Sequence, residues 1–369
     1  MYHRWLHRVA ILTAVMTFVL ICMGGIVTST DSGLAVPDWP TTFGYNMFLY
    51  PVSKTVSGFL FSIDPILQTD LESGNLTENL RGALENNEIS ISDNTVISKE
   101  EEGKWRLTDS ENERVYTLIK SEARLDVYVH GVLYEHTHRL IGSIVGLLTI
   151  VLLLAIWSKD DRRWLKLLGA ITLVAVIVQG VMGGLRVTHL STLLAIVHAC
   201  FAQVFFALTA SLVLFTSRGW MQNWPTIQDA GASRLRRLSG ITLALIYVQF
   251  IFGAILRHTG TRLDAHLLFA ALVTIHVFLL SGRALRDYLG YFRIVRPLMV
   301  LSGLLAVQLV LGGAAYVAEF TSAGEVVSST MSVIITTAHV AIGAMMLVVS
   351  AIVTLSVFRL TSTGQALDG

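Results

Sequence analysis

The chain has 369 residues, of which 53% are hydrophobic and 14% charged, against roughly a quarter charged in an ordinary soluble domain. That balance excludes a typical water-soluble enzyme. A net charge of +1 likewise excludes the broad basic field of a nucleic-acid binder and the acidic excess of a solvating tail, so charge informs here only by position.

In chain order, apolar windows predict eight spans at 9–28, 132–157, 165–185, 193–215, 237–257, 266–282, 297–317 and 332–358. Each is near the roughly 20 residues that cross a hydrocarbon core of about 30 Å. The first follows Arg4 and Arg8 and has the outline of a cleaved leader. However, Met23-Gly24-Gly25-Ile26 continues a phrase that recurs later in the chain, which keeps this span in the mature protein. Next comes an acidic insertion, 62–127, with 15 Asp/Glu against seven Lys/Arg. Alternation near 88–96 and 114–119 predicts short strands in it. It has no Cys and no nucleophile or metal spacing, so it is read as an outer cap or a partner contact. Cys22 and Cys200 both fall inside spans and are read as small core residues.

Orientation follows from the short connections. One side carries 15 Lys and Arg, the other only Arg186, Arg257 and Arg262. The positive-inside rule therefore predicts cytoplasmic termini, an outward-facing insertion and residence in the cell (inner) membrane.

The odd spans share a phrase at their outer ends: Gln179-Gly180-Val181-Met182-Gly183-Gly184, Gln249-Phe250-Ile251-Phe252-Gly253-Ala254 and Gln308-Leu309-Val310-Leu311-Gly312-Gly313. Span one has Leu20 in place of the Gln, then Gly24-Gly25. Repeats in one orientation predict two parallel four-helix halves, 1–61 with 128–215, and 216–369. The small pairs allow close approach of either a helix or a flat ligand, while a Gln in lipid calls for an inward partner.

Each even span carries a histidine near its outer end: His138, His198, His266 and His339. Imidazole suits haem iron, and a bis-His pair from two helices of a bundle is a common way to hold it. The duplication pairs His138 with His198 and His266 with His339. His276 lies ten residues beyond His266 without a counterpart, His136 points away from His138, and His3, His7, His130, His189 and His258 lie outside the spans. Glu135 precedes His138 by three residues and shares its helix face; Leu263 stands at that place before His266. The carboxylate is read as a proton relay, a general base or a propionate-facing group. The asymmetry suggests chemistry in the first half and cofactor holding in the second. Arg139, Arg186, Arg257 and Arg262 border the same depth, where guanidinium groups pair with carboxylates such as propionates or anchor helices at the head groups.

These residues carry a resemblance to the haem A synthase family. Gly24-Gly25-Ile26-Val27-Thr28-Ser29-Thr30, then Ser32-Gly33-Leu34-Ala35-Val36-Pro37-Asp38-Trp39-Pro40, is similar to its first-span and loop signature. Glu135-His136-Thr137-His138-Arg139 and Arg257-His258-Thr259-Gly260 resemble its second-span and fifth-span motifs. The resemblance implies an all-α membrane protein of eight spans in two four-helix halves that oxidises a ring methyl of haem O to the formyl of haem A, by two hydroxylations and loss of water. It implies substrate haem on His138 and His198, chemistry at Glu135, and haem b on His266 and His339. The implied partners are the bilayer, a haem O synthase as donor, an unidentified electron partner and a second copy of the chain. Thr41 and Thr42 stand where many relatives have an outer-loop Cys, and the insertion is also a departure. A non-catalytic di-haem cytochrome b explains the four histidines equally well but not the Glu135 asymmetry; a transporter explains the parallel repeat but not the histidines.

Overall fold

The computed structural model describes residues 2–63, 71–72, 74, 76–86, 89, 91–110, 114–121, 124–222, 224–229 and 231–362. Among them, eight helices are long and apolar enough to cross a membrane: Arg4–Ser29, Val132–Lys159, Arg163–Thr188, Thr192–Thr216, Ala232–Thr259, Leu263–Asp287, Phe292–Phe320 and Ser329–Leu360. These are spans one to eight. Each contains its predicted window and runs further, because hydropathy registers only the lipid-facing part while polar end residues stay helical. Span five, for example, takes in Arg234, Arg236 and Arg237 before its apolar run. Buried threonines within the spans satisfy themselves. Thr13, Thr17, Thr149, Thr172 and Thr242 each donate to the carbonyl four residues back, so no polar hydrogen meets lipid.

The chain divides into two compact units. The first comprises Met1–Gly25, Gly142–Gly183 and Thr192–Gly369. In it, spans five to eight form a ring of contacts, five against six, six against seven, seven against eight and eight against five. Leu235, Val277, Leu301 and Val353 are among the buried side chains at its centre. A second core joins spans one to four through Leu6, Ala10, Leu152, Ile156, Leu165 and Leu212. A third, with Ile21, Phe206, Ala210 and Ala344, joins spans one, four and eight.

The second unit is Ile26–Ile141 with Gly184–Ser191. It holds an antiparallel sheet of β1 (Phe59–Ile63), β2 (Thr95–Glu101), β3 (Lys104–Asp109), β4 (Arg114–Ser121) and β5 (Arg124–Val129), in the order β1-β5-β4-β3-β2. One face is apolar: Trp105 and Leu107 on β3, Tyr116 and Leu118 on β4, and Leu125, Val127 and Val129 on β5. A helix, Glu78–Glu85, N-capped by Thr77, lays Leu80 and Leu84 on that face. The strand expected near 114–119 is β4. The alternation near 88–96 falls mostly ahead of β2; there Ile89 and Ile91 are buried outside any strand, and positions 87, 88 and 90 lie outside the described residues. The sheet is larger than the sequence reading anticipated. In β3, Lys104, Arg106 and Thr108 alternate with Trp105 and Leu107, a period-two signal that charge density obscured.

Candidate functional site

On spans three, five and seven the repeated phrase is a cradle for the histidine on the following span. In the first unit, the Gln179 amide Nε2 donates to the His198 carbonyl at 3.0 Å and lies 3.4 Å from its ring Nε2. Gln249 Nε2 lies 3.2 Å from His266 Nδ1, and Gln308 Nε2 3.3 Å from His339 Nε2. One turn on, the glycine four residues after each Gln receives the ring. A Cβ on Gly183, Gly253 or Gly312 would sit 2.9, 3.2 or 3.1 Å from Cε1 of His198, His266 or His339 respectively. The small residue therefore admits an imidazole and the Gln orients it. The sequence reading left helix packing and close approach of a flat ligand both open; in these three repeats the close approach is made by a histidine.

His266 and His339 face each other, with ring centroids 6.4 Å apart and planes inclined at 65°. Two imidazoles that share one metal, each through a nitrogen at about 2 Å, have centroids roughly 6 Å apart. His339 Nδ1 is buried without a hydrogen-bond partner, which suits a ring that supplies one nitrogen elsewhere. Among the described residues, no three His, Cys, Asp or Glu side chains converge to cage a bare ion. A two-imidazole donor set fits iron already held by a macrocycle. His276 Nδ1 is also buried and unpartnered, ten residues deeper along span six.

In the second unit, Glu135 and Arg139 organise the loop after span one. Glu135 is 3% exposed. Its Oε2 accepts the Val36 N–H at 2.8 Å, and its Oε1 pairs with Arg139 Nη2 at 2.7 Å. The same guanidinium donates to the carbonyls of Val36, Asp38 and Thr41 at 2.9, 2.6 and 3.1 Å. Three carbonyls that no helix or strand could satisfy are gathered by one fork of donors. Neighbouring His136 lies against Thr42 and Tyr50. Arg186 packs its guanidinium onto Gly33 so closely that a Cβ there would meet Nη2, and its charge acts on Glu135. Trp39 lies on Gly184 in the same way, so the adjacent Gly183 and Gly184 admit two different rings. His138, one turn after Glu135, is half-buried, while Arg257 and Arg262 are exposed at the facing ends of spans five and six.

Beyond Arg139, a tight turn at Phe43 and Gly44, both at positive φ, pairs Thr42 with Tyr45. An aromatic residue rarely adopts that conformation. Here the Asp38 carboxylate holds it by accepting the Phe43 and Gly44 N–H groups at 2.7 and 2.9 Å. Burial pushes the Asp38 carboxyl up, but hydrogen bonds from Thr41, Gly44 and Phe43 outweigh it and leave it below the ordinary carboxylate range. The sign follows from that lower folded value. The contribution of Asp38 to loop stability is complete above the unfolded carboxyl value of about 3.9 and is lost as pH falls through the folded one. At neutral pH Asp38→Asn removes the charge outright. Amide exchange at Phe43 and Gly44 is expected to speed up roughly tenfold or more, the equivalent of a charge-assisted hydrogen bond; unchanged exchange refutes the assignment.

Eight spans, with Gln–Gly cradles on three of them that each present a histidine, define a multi-pass membrane protein with a buried, facing pair of imidazoles. The comparisons place it more narrowly. A family described as cytochrome oxidase assembly protein (COX15-CtaA) matches residues 7–55 and 94–265, more than half of the chain, and the chain belongs to that family. The matched residues include Glu135, His138, Arg139, Arg186, His198, Arg257 and Arg262 and end one residue before His266. The Heme A synthase of Shouchella clausii (strain KSM-K16) is 33% identical over 135 residues, 35% of this chain and 43% of that protein. The match thus spans less than half the length of this curated relative.

Proposed function

We propose that the protein is a haem A synthase that oxidises a ring methyl of haem O to a formyl group in supply of terminal oxidases. The observation that carries this reading is the facing His266–His339 pair, seated in a Gln–Gly cradle that recurs at His198, within a chain of the cytochrome oxidase assembly family. The relative named Heme A synthase supplies the reaction.

In this reading the N-terminal half, 1–61 with 128–215, takes haem O as substrate on His138 and His198. The C-terminal half, 216–369, holds haem b on His266 and His339. Haem b, when bound, supplies one-electron transfer. The remaining work belongs to the chain. Gln249 and Gln308 fix the ring orientation of their histidines. Arg257 and Arg262 offer exposed guanidinium groups to propionates, with Arg186 and Arg139 at the corresponding border of the first half. Glu135 serves the substrate side, through Arg139 and the loop it gathers, and as acceptor of a proton released at the ring methyl. The termini are cytoplasmic and the sheet-bearing insertion faces outward. Haem O arrives from a haem O synthase, electrons are exchanged with an unidentified partner, and a second copy of the chain is a further candidate partner.

Pigment extraction with mass analysis tests the reading. Protein made alongside a haem O synthase is expected to yield haem b together with haem O, haem A or a hydroxylated intermediate. Haem b alone would instead make the chain a di-haem cytochrome, the class that the four histidines also allow.

A further inference from the structure

Within the first unit, at the ends of spans four, seven and eight nearest the termini, a cavity of about 310 Å³ opens between Gly219, Trp220 and Trp224 and the span ends. That is at the lower end of the size of small-molecule sites. Its walls are aromatic and its charges are arginines. Arg293 stacks on the Trp224 ring at 3.8 Å and Arg359 on the Trp220 ring at 4.3 Å, while Arg296 lies 5.2 Å from the Phe292 ring. Such stacking orients a guanidinium and leaves its edge for an anion.

Arg293 Nη1 donates to the Gly219 carbonyl at 3.1 Å, an approach that glycine permits, since a Cβ there would lie 3.0 Å from that nitrogen. Its Nε is buried without a partner. Arg359 donates to the Gln222 carbonyl at 3.3 Å. Among the described residues, none of Arg293, Arg296 and Arg359 has a carboxylate within salt-bridge distance. The contrast is Arg162, whose charge, like that of Arg293, acts on Arg359 but is balanced by Asp160 at 2.7 Å. Arg293, partly buried with its Nε unpartnered, and the exposed Arg296 and Arg359 line one cavity, where an anion would offset their like charges.

We propose that this cavity binds the phosphate of an anionic phospholipid headgroup. The place fits: it lies where the spans end, at head-group depth, on the side rich in Lys and Arg, where basic pockets between helices recognise anionic lipids. The aromatic walls suit the boundary between head group and acyl chain. The assignment is independent of the haem reading.

The test uses the full-length protein in mild detergent, titrated with dihexanoyl-phosphatidylglycerol, dihexanoyl-phosphatidylcholine or inorganic phosphate. Bound molecules are counted by native mass spectrometry, and Trp220 and Trp224 fluorescence follows occupancy. The glycerol lipid is expected to bind more tightly than the choline lipid. Arg293→Gln, Arg296→Gln and Arg359→Gln should each weaken it by roughly fivefold, the worth of one such charge at a membrane surface. Arg234→Gln, on the same side but outside the cavity, should leave it unchanged. Arg296 is exposed, so its variant carries the test if the others misfold. Equal binding of the two lipids, or equal binding by the wild type and Arg296→Gln, overturns the proposal. Inorganic phosphate binding as tightly as the glycerol lipid would make this a free-phosphate site and overturns the assignment to lipid.

Discussion

Replacing either His266 or His339 by alanine is expected to abolish haem b binding, lowering haem b per protein by more than the roughly 10–100-fold typical of losing an outer-shell partner. The two changes should be equivalent, because the rings face each other with centroids 6.4 Å apart and neither alone would supply both donors to the haem iron. Loss of Gln308, which touches His339 at 3.3 Å, should fall in the outer-shell range itself: haem retained but weakly held. Glycine adds a sharper control. A methyl at Gly312 would lie 3.1 Å from His339 Cε1, so Gly312→Ala is expected to perturb the low-spin spectrum without removing any donor. His138→Ala should spare haem b and remove only haem O or its products. Measured by pyridine haemochrome and mass analysis, an undiminished haem b content in His266→Ala or His339→Ala sinks the ligand assignment, and loss of haem b in His138→Ala sinks the division between halves.

What the sequence made legible, and what it did not, follows from the range of the interactions. The spans were readable because hydropathy is a local sum and lipid tolerates little else. The link between the Gln–Gly phrase and the histidines was half-readable. Repetition exposed both motifs, but not that the phrases on spans three, five and seven seat the histidine of the next span, because span register is set by packing between helices. The loop after span one was not readable. Arg139 reaches Val36, Asp38 and Thr41 from about a hundred residues away, and no periodicity encodes such a contact. The sequence marks Arg139 either as a partner for carboxylates such as propionates or as a head-group anchor. The structure shows its guanidinium gathering loop carbonyls, a role whose only sequence trace is Glu135 four residues earlier on the same helix face. In the insertion, β4 stood out because Val115, Leu118 and Ile119 are apolar enough to register, whereas β3 and β5 alternate with Lys, Arg and Asp.

Glu135→Ala should be the most damaging single change in the second unit. It leaves the Arg139 guanidinium, whose side chain is 10% exposed, without its counter-charge and the Val36 N–H without an acceptor. Breaking a buried pair from one side costs about 3–5 kcal/mol, so the loop from Val36 to Thr42 should lose its amide protection and Trp39 its seat on Gly184. Removing Arg139 as well should cost less than the sum of the single changes, since the orphaned charge goes with it. Glu135→Gln separates positioning from proton transfer. The amide keeps the shape and one acceptor, so the loop stays largely protected, while a base at that position is lost. If Glu135 takes a proton from the ring methyl, haem A formation falls by roughly 10²–10⁴-fold in a variant whose exchange pattern and haem content are near normal. If it acts only by holding Arg139, the loss of activity instead tracks loop exchange across Glu135→Gln, Glu135→Ala and Arg139→Lys, slight in the first and large in the other two, because these changes loosen the Arg139 carbonyl fork to different extents. Full haem A production by Glu135→Gln with normal haem content removes the proton-acceptor role altogether. The ion pair would then stand as the reason for a glutamate there, since one of its oxygens is already engaged by the Val36 N–H of the loop and the other by Arg139.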